Sequence, residues 1–558
     1  MSESDPSEGP QGGPGACLNP GWKVWVAAIL LCVLYGWTSV LNPFGRDQGI
    51  HAYTASQALK GQLIYRDIFN VKPPMTTPTH ALALVLFGHN MTAIRWLDLL
   101  ITIGVAAGLV SFCWLTFRSR AIALCTVFLF VSSYFALDYW NTAQTDGWTL
   151  LPTVLSMLGV VLLNREGDRI SGSFCAGLLL VSGMLIGVAV FYKYTVGLIL
   201  PAACLTLFLG GTGRARILRP ALVGTGFGIV CLGVLVWLHA SGAWEGFLDS
   251  QIRLNKVYAG VRSGPAESAQ RFLRVLYSMW PPLCSLSVLA LVLAGVRRKK
   301  LRSAEAGGLI LVGGWVIAAL ASPVVQGKYF AYHLLPLLAP MAILAGWGLV
   351  CLWEIFATHL RRTSGAVLCV VAVLALTFSF THFAKWQQGI QILSGQTALR
   401  EYWRTSKRFE YPDFALRDDL ALAQFLEDRI QDGDRVNIWG FEPLVNFLVD
   451  APLVSRFLYS YPCVEGSGLP QFRAEYIEAL RRDPPEFFVV QRGDAVPHST
   501  GHARDSYTTF ENFEELKALI ERKYRLIGSA GRVVDLNNGV TIPRFHVYRR
   551  TGQDDSGA

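Results

Sequence analysis

The sequence predicts a polytopic α-helical membrane protein with a C-terminal α/β domain outside the bilayer. Three observations carry this. Of 558 residues, 52% are hydrophobic, and they gather into runs near 20 residues long, the length that crosses a hydrocarbon core of about 30 Å. Basic clusters such as Arg214-Ala-Arg-Ile-Leu-Arg219 and Arg297-Arg-Lys-Lys-Leu-Arg302 fall in short loops between the runs, as orientation charge on the cytoplasmic side does. Beyond about Lys385 the composition turns charged and aromatic. The net charge of +9 is thus mostly loop charge, and no nucleic-acid partner is expected.

Residues 1–21 read as a disordered cytoplasmic tail. Met1–Pro20 is rich in Gly, Ser, Pro and acid, with no basic n-region to make a cleaved signal peptide. Apolar segments follow at 22–41, 74–88, 93–117, 120–137, 146–164, 173–191, 195–211, 217–240, 280–296, 308–322, 330–353 and 364–384. If all twelve crossed, the basic loops would alternate between sides. Removing 74–88 as a crossing puts Arg118/Arg120, Arg165/Arg169, Arg214–Arg219, Arg297–Arg302 and Arg361/Arg362 on one side with the N-terminus. That segment opens with Pro73-Pro74 and bears Thr76, Thr77, Thr79 and His80 near its start, which suits a helix lying in the interface.

The expectation is therefore about eleven spans, N-terminus inside and C-terminus outside. Residues 22–384 form the membrane unit, with 42–92 its first outer loop carrying juxtamembrane helices. Residues 385–558 form the extracytoplasmic domain. Within it, Leu416–Ile430, Phe472–Arg482 and Phe513–Tyr524 have helical periodicity, Asp432-Gly433 makes a turn, and Arg435–Trp439, Pro485–Gln491 and Arg544–Tyr548 read as strands. Helices alternating with strands indicate a small α/β fold. No internal repeat of the kind found in many transporters is visible.

The candidate chemistry clusters at outer helix ends. Asp47 follows the first span between Gly45 and Gly49; it is either a solvated loop acid or a general base, which needs a pocket and a fixed orientation. His51 and Tyr53 continue the same segment as pocket candidates. Lys72 precedes Pro73-Pro74 at a rigid corner, where it can snorkel or hold a phosphate. Asp146 ends a polar stretch, Asn141-Thr-Ala-Gln-Thr-Asp, and either caps the next helix or serves a site. Lys193, with Tyr194 beside it, interrupts apolar sequence and is either a snorkelling residue or a second cation for an anionic head. Lys328, Tyr332 and His333 open a late span. An aromatic belt explains the tyrosines, and helical spacing would place Tyr329 with His333. A phosphate contact would explain the lysine and histidine.

Other chemistry is not indicated. Most of the 11 cysteines lie inside apolar runs and only Cys463 falls in the C-terminal part, so they read as small packing residues. No His-Glu-x-x-His, Walker loop or Gly-x-Gly-x-x-Gly before a helix occurs. No nucleotide or other cofactor is expected, and a divalent metal is left open.

Taken together, Asp47, Ala52-Tyr53, Lys72-Pro73-Pro74, Phe87-Gly88 and Arg95, with Asp146, Tyr332–Pro336 and Asp432-Gly-Asp-Arg-Val-Asn-Ile-Trp-Gly-Phe-Glu-Pro, resemble the polyprenyl-phosphate-sugar-dependent glycosyltransferases of the membrane-embedded GT-C class. The nearest look is to the bacterial branch of the protein O-mannosyltransferase superfamily, which also holds the lipid A aminoarabinose transferases (family 39/83-like). The likeness spans most of the chain and is specific in the first outer loop. Two departures stand out. Many relatives have Asp-Glu where this chain has Asp47-Gln48, and some place a metal-binding acid where it has Val71.

The resemblance implies an integral membrane glycosyltransferase of the bacterial inner membrane. It would move a sugar, with inversion, from a polyprenyl-phosphate donor to a glycan, glycolipid or protein acceptor. Asp47 would be the base, with Asp146 as a second catalytic acid. Lys72 would hold the donor phosphate, assisted by Lys193, Lys328, His333 and Tyr332, and His51, Tyr53 and Tyr194 would shape the substrate pocket. A transporter or lipid flippase is the alternative. It explains the spans but not the 50-residue outer loop or the large outer domain. A non-catalytic scaffold would leave Asp47 and Lys72 unexplained.

Overall fold

A computed structural model of the chain describes residues 20–166, 172–261, 264–299, 301–359, 380–534 and 539–551. The tail and the segment 364–384 fall wholly or mostly outside these. Among the described residues, seven helices are long and apolar enough to cross a membrane: Trp22–Leu41, Met91–Phe117, Thr145–Leu163, Gly172–Val190, Ala215–Ala240, Ser303–Gln326 and Ala331–Ala357. The pair Pro265–Met279 and Pro281–Arg297, bent by 100° at Trp280, makes an eighth if counted as one. Arg120–Ala136 and Tyr194–Gly210 are shorter apolar helices at two more predicted crossings. This is a multi-pass membrane protein.

Helix packing follows membrane rules, in which small residues let backbones approach. A Cβ on Gly183 would meet the Val223 carbonyl, and one on Gly226 would meet that of Leu180, so Gly172–Val190 and Ala215–Ala240 pack with almost no side chain between them. Ala331–Ala357 is nearly all buried within the bundle, while Ala215–Ala240 is mostly exposed on its edge, as a lipid-facing helix would be.

The first loop holds two helices, α1 (Arg46–Leu59) and α2 (Thr76–Phe87). At 12 residues α2 is too short to span about 30 Å at 1.5 Å per residue. It is tied to the bundle instead: Met75 N donates to Phe191 O at 3.0 Å, and the Thr79 and Tyr192 hydroxyls lie 2.5 Å apart.

The C-terminal domain is built on a four-stranded sheet of β1 (Val436–Trp439), β2 (Phe487–Gln491), β3 (Tyr524–Val534) and β4 (Thr541–Arg550) in the order β1-β2-β4-β3. β1 and β2 are parallel, with Val436 opposite Phe487; the other pairs are antiparallel. Every residue of β2 is buried, as expected of a strand covered on both faces. Helices Leu416–Glu427, Pro470–Arg482 and Glu514–Lys523 lie where periodicity puts them. The sequence reading missed β3, whose residues are mostly part-exposed and show no clean alternation.

The domain is not an appendage on a tether. Phe44, Tyr53 and Phe69 of the first loop share one apolar core with Phe447, Phe457, Phe472 and Phe488 of the C-terminal domain. Ring centroids of Phe44 and Phe447 lie 5.6 Å apart, and those of Phe69 and Phe457 5.4 Å apart.

Candidate active site

A cavity of about 600 Å³ opens where the helical bundle, the first loop and the C-terminal domain meet. Asp47, Lys72, Lys193, Tyr194, Lys328, Tyr332 and His333 all line it, although they come from four separate sequence segments. Its volume fits the range of sites for small organic ligands, which run from about 300 to 1,000 Å³.

Asp47 lies in the first turn of α1, where the helix N-terminus favours negative charge. Gly45 precedes that helix, and a Cβ there would strike the Trp140 ring at 2.8 Å. The neighbouring residues are both fixed. Gln48 Oε1 accepts from Gly45 N at 3.1 Å, and its Nε2 faces the carbonyls of Tyr139, Trp140 and Thr142 at 3.3, 3.2 and 3.0 Å. Gln48 thus acts as a neutral clamp, which a carboxylate could not reproduce because it has no donor. Arg95, fully buried in the Met91–Phe117 helix, donates to the carbonyls of Pro43, Tyr139 and Thr142 and so binds both sides of the same loop junction.

The Lys72 amine is 3.4 Å from Asp47 Oδ2 and 5.5 Å from the Tyr332 ring centre. Tyr332 and Asp47 stand close together on the same cavity wall. The Lys72 backbone is held on both sides: its N–H donates to Asn70 Oδ1 at 2.9 Å, and its carbonyl accepts from Tyr65 Oη at 2.7 Å and Gln251 Nε2 at 3.3 Å. Gln251 belongs to a π-helical turn, Leu248–Leu254, a form found often at functional sites. It carries no sequence signal that would have singled it out.

Lys193 pairs with Asp146 at 3.2 Å. The Asp146 side chain is wholly buried and does not line the cavity, so it stands behind Lys193 and orients it. Burial lowers the Lys193 pKa, and the Asp146 charge opposes this while Lys72 adds to it. Lys328 lies over the Tyr258 ring at 4.1 Å and donates to the carbonyls of Val261 and His498 at 2.5 and 3.0 Å. It therefore pins the C-terminal domain to the loop 241–279. The expected pairing of Tyr329 with His333 on one helix face does not form, because Tyr329 has a left-handed backbone, φ +52, and the helical segment starts at Ala331.

Two predicted pocket residues sit elsewhere. His51 is buried against His80, ring centres 5.2 Å apart, and is absent from the cavity wall. Burial, with the nearby Lys72 charge, holds it neutral. Tyr53 points the other way and donates to Ala451 O of the C-terminal domain at 3.1 Å. Tyr53, six residues past Asp47, falls on another side of α1; His51, four past, shares the face of Asp47 but lies a turn further along, against His80.

The C-terminal domain supplies a wall that sequence reading did not anticipate. Tyr411, Asp413, Phe441, Tyr459, Tyr461 and His498 line the cavity. Tyr459 and Tyr461 stack at 5.0 Å, and Tyr411 meets Trp140 edge-on at 5.2 Å. Nothing local marks these aromatics, since the acid and lysines they meet lie far upstream in the chain. The spacing His498-Ser-Thr-Gly-His502 resembles a pair of metal ligands, but Gly501 at φ +79 breaks the helix between them. Among the described residues no group of three or more His, Cys, Asp or Glu side chains could hold a metal ion.

The helical membrane bundle capped by an α/β domain, with acid and lysine gathered at their junction, has the GT-C fold expected from the sequence. Residues 71–238 match the family model described as dolichyl-phosphate-mannose-protein mannosyltransferase. Two solved structures are similar along nearly their whole length. ArnT from Cupriavidus metallidurans bound to undecaprenyl phosphate superposes with a TM-score of 0.57 at 14% identity, covering 96% of this chain and 98% of that one. The same protein in the apo state gives 0.56 at 16% identity, over 95% and 97%. No curated protein sequence matches the chain.

Proposed function

We propose that the protein is an inverting membrane glycosyltransferase that uses a polyprenyl-phosphate-linked sugar. The observation that carries this is the junction of Asp47 with Lys72 and Lys193 in one cavity, beneath a fold shared with a protein solved with undecaprenyl phosphate bound. Nothing in the fold or the comparisons favours the transporter alternative.

The chemistry follows from the arrangement. An acceptor hydroxyl approaches Asp47, which takes its proton as the oxygen attacks the anomeric carbon. The bond from that carbon to the phosphate oxygen breaks in the same displacement, which inverts the configuration. The departing polyprenyl phosphate gains negative charge on oxygen, and Lys72 and Lys193 are in place to stabilise it. Asp146 keeps the Lys193 amine oriented, and the Tyr332 ring lies beneath the Lys72 amine. The aromatic wall of Tyr411, Phe441 and Tyr461 lines the same cavity and is proposed to receive the acceptor.

Residues 22–384 make up the catalytic membrane unit in this reading, and 385–558 the domain that closes it. The N-terminus lies in the cytoplasm and the cavity faces outward across a bacterial inner membrane. The donor is loaded inside and flipped, so no nucleotide is used at this site. The acceptor is a glycan, glycolipid or protein. Mass analysis of surface glycans in a deletion strain tests the function. One sugar should vanish from one attachment point and return with the wild-type gene but not with Asp47→Asn. An unchanged glycan profile would refute it.

A further inference from the structure

The first turn of α1 is gripped from two directions, and Asp47 stands between the grips. Gln48 holds one side, on the loop 138–142. Arg46 holds the other. Its Nη1 donates to Asp413 Oδ2 and its Nη2 to both Asp413 O and Glu442 Oε1, all at 2.8 Å. Its guanidinium lies 4.5 Å from the Phe441 ring centre. Both anionic partners belong to the C-terminal domain. Glu442 is fixed in turn, accepting from Gln491 Nε2 of β2 at 2.9 Å.

We infer that Arg46, held by Glu442 and Asp413, is a positioning residue for Asp47, and that the C-terminal domain acts through it as part of the catalytic centre. This rests on reading Asp47 as the base. The reasoning is mechanical. A guanidinium is a rigid planar fork, so two charge-assisted contacts fix its place and direction. One peptide bond separates it from Asp47, so a shift of Arg46 becomes a shift of the carboxylate. Helix ends otherwise fray. Misplacing a reacting group by about 1 Å costs on the order of a hundredfold in rate.

Stability alone is a weak reason for this pair. Buried ion pairs are often no better than apolar packing of the same volume, and here one sits in the residue adjoining the base. Its terminal nitrogens are already turned toward the C-terminal domain. Glu442 is 1% exposed and absent from the cavity wall, so a change there reaches the reaction only through its neighbours.

The test uses full-length protein in detergent, with the polyprenyl-phosphate-sugar fraction of native membranes as donor. Glu442→Gln and Arg46→Lys are compared with wild type for turnover, donor KM, undecaprenyl phosphate binding and melting temperature. The expected result is a fall in kcat of about 10- to 100-fold, with donor KM and undecaprenyl phosphate affinity within about twofold and folding retained. Wild-type turnover in both variants overturns the inference. So does a parallel loss of turnover and undecaprenyl phosphate affinity, which would mean collapse of the whole site. A wild-type protein that transfers no sugar would instead refute the underlying reading, and this inference with it.

Discussion

Lys72 Nζ lies 3.4 Å from Asp47 Oδ2, so the two residues proposed as phosphate cation and acceptor base form one ion pair. A phosphate arriving at Lys72 competes with Asp47. As the amine turns to the phosphate, the carboxylate is left free to accept a proton. In the proposed mechanism, donor binding would thereby prepare the base.

That competition predicts opposite effects from its two members. Asp47→Asn should bind undecaprenyl phosphate as tightly as wild type or up to about fivefold tighter, because a partly exposed pair is worth no more than about 1 kcal/mol. Lys72→Met should weaken binding about tenfold or more. Titration of purified protein with undecaprenyl phosphate reads both. Weaker binding by Asp47→Asn would contradict the competition.

Lys193 and Asp146 should be coupled in stability. Lys193→Met leaves a buried carboxylate without its cation, a loss of about 3–5 kcal/mol. Adding Asp146→Asn should recover most of it, since the second change removes the stranded charge. Melting temperatures of the single and double variants in one detergent check this. Additive losses would show that the pair is not coupled.

Asp494 predicts a pH dependence. Burial pushes its carboxyl up to about 6 from 3.8, partly offset by hydrogen bonds from Ser506 N and Oγ at 2.8 and 2.7 Å. A raised folded pKa means that the folded state binds this proton more tightly. The stability it contributes is full below about pH 4 and is lost as pH rises through about 6. Asp494→Asn mimics the protonated form, so it should melt above wild type at pH 8, by up to about 3 kcal/mol, and match it near pH 4. A difference that does not vary with pH would contradict this.

Gly49 marks the closest approach of α1 to the C-terminal domain. A Cβ there would lie 2.9 Å from both the Cα and the N of Leu444, which are backbone atoms that cannot rotate away. Gly49→Ala should therefore loosen the docking, with a destabilisation of about 1–3 kcal/mol. Limited proteolysis should cut the loops between bundle and domain sooner. Unchanged proteolysis and melting would mean that the contact yields freely.

What was legible in the sequence is what is local. Apolar length revealed the bundle, and the sidedness of the basic loops, with Pro73-Pro74 and four polar residues after it, set 74–88 apart from the spans; its helix is 12 residues long. Lys72, Lys193, Lys328, Tyr332 and His333 stood out because charge or polarity at an apolar helix end is costly to place without purpose. Gln48 stood out only as a departure from an Asp-Glu pair, and its amide contacts to the carbonyls of Tyr139, Trp140 and Thr142 could not be read from the sequence. The partners of Arg46 were hidden, because Asp413 and Glu442 lie 367 and 396 residues away and nothing near them signals the pairing. Asn90 caps the Met91–Phe117 helix, accepting from the N–H groups of Thr92 and Ala93.

The most direct measurement is sugar transfer by the purified full-length protein from a polyprenyl-phosphate-sugar, with the anomeric configuration of the product read by NMR. Wild type should release the lipid phosphate and give a product of inverted configuration, and Asp47→Asn should give none while still binding undecaprenyl phosphate. A product of retained configuration, or full transfer by Asp47→Asn, would contradict the account.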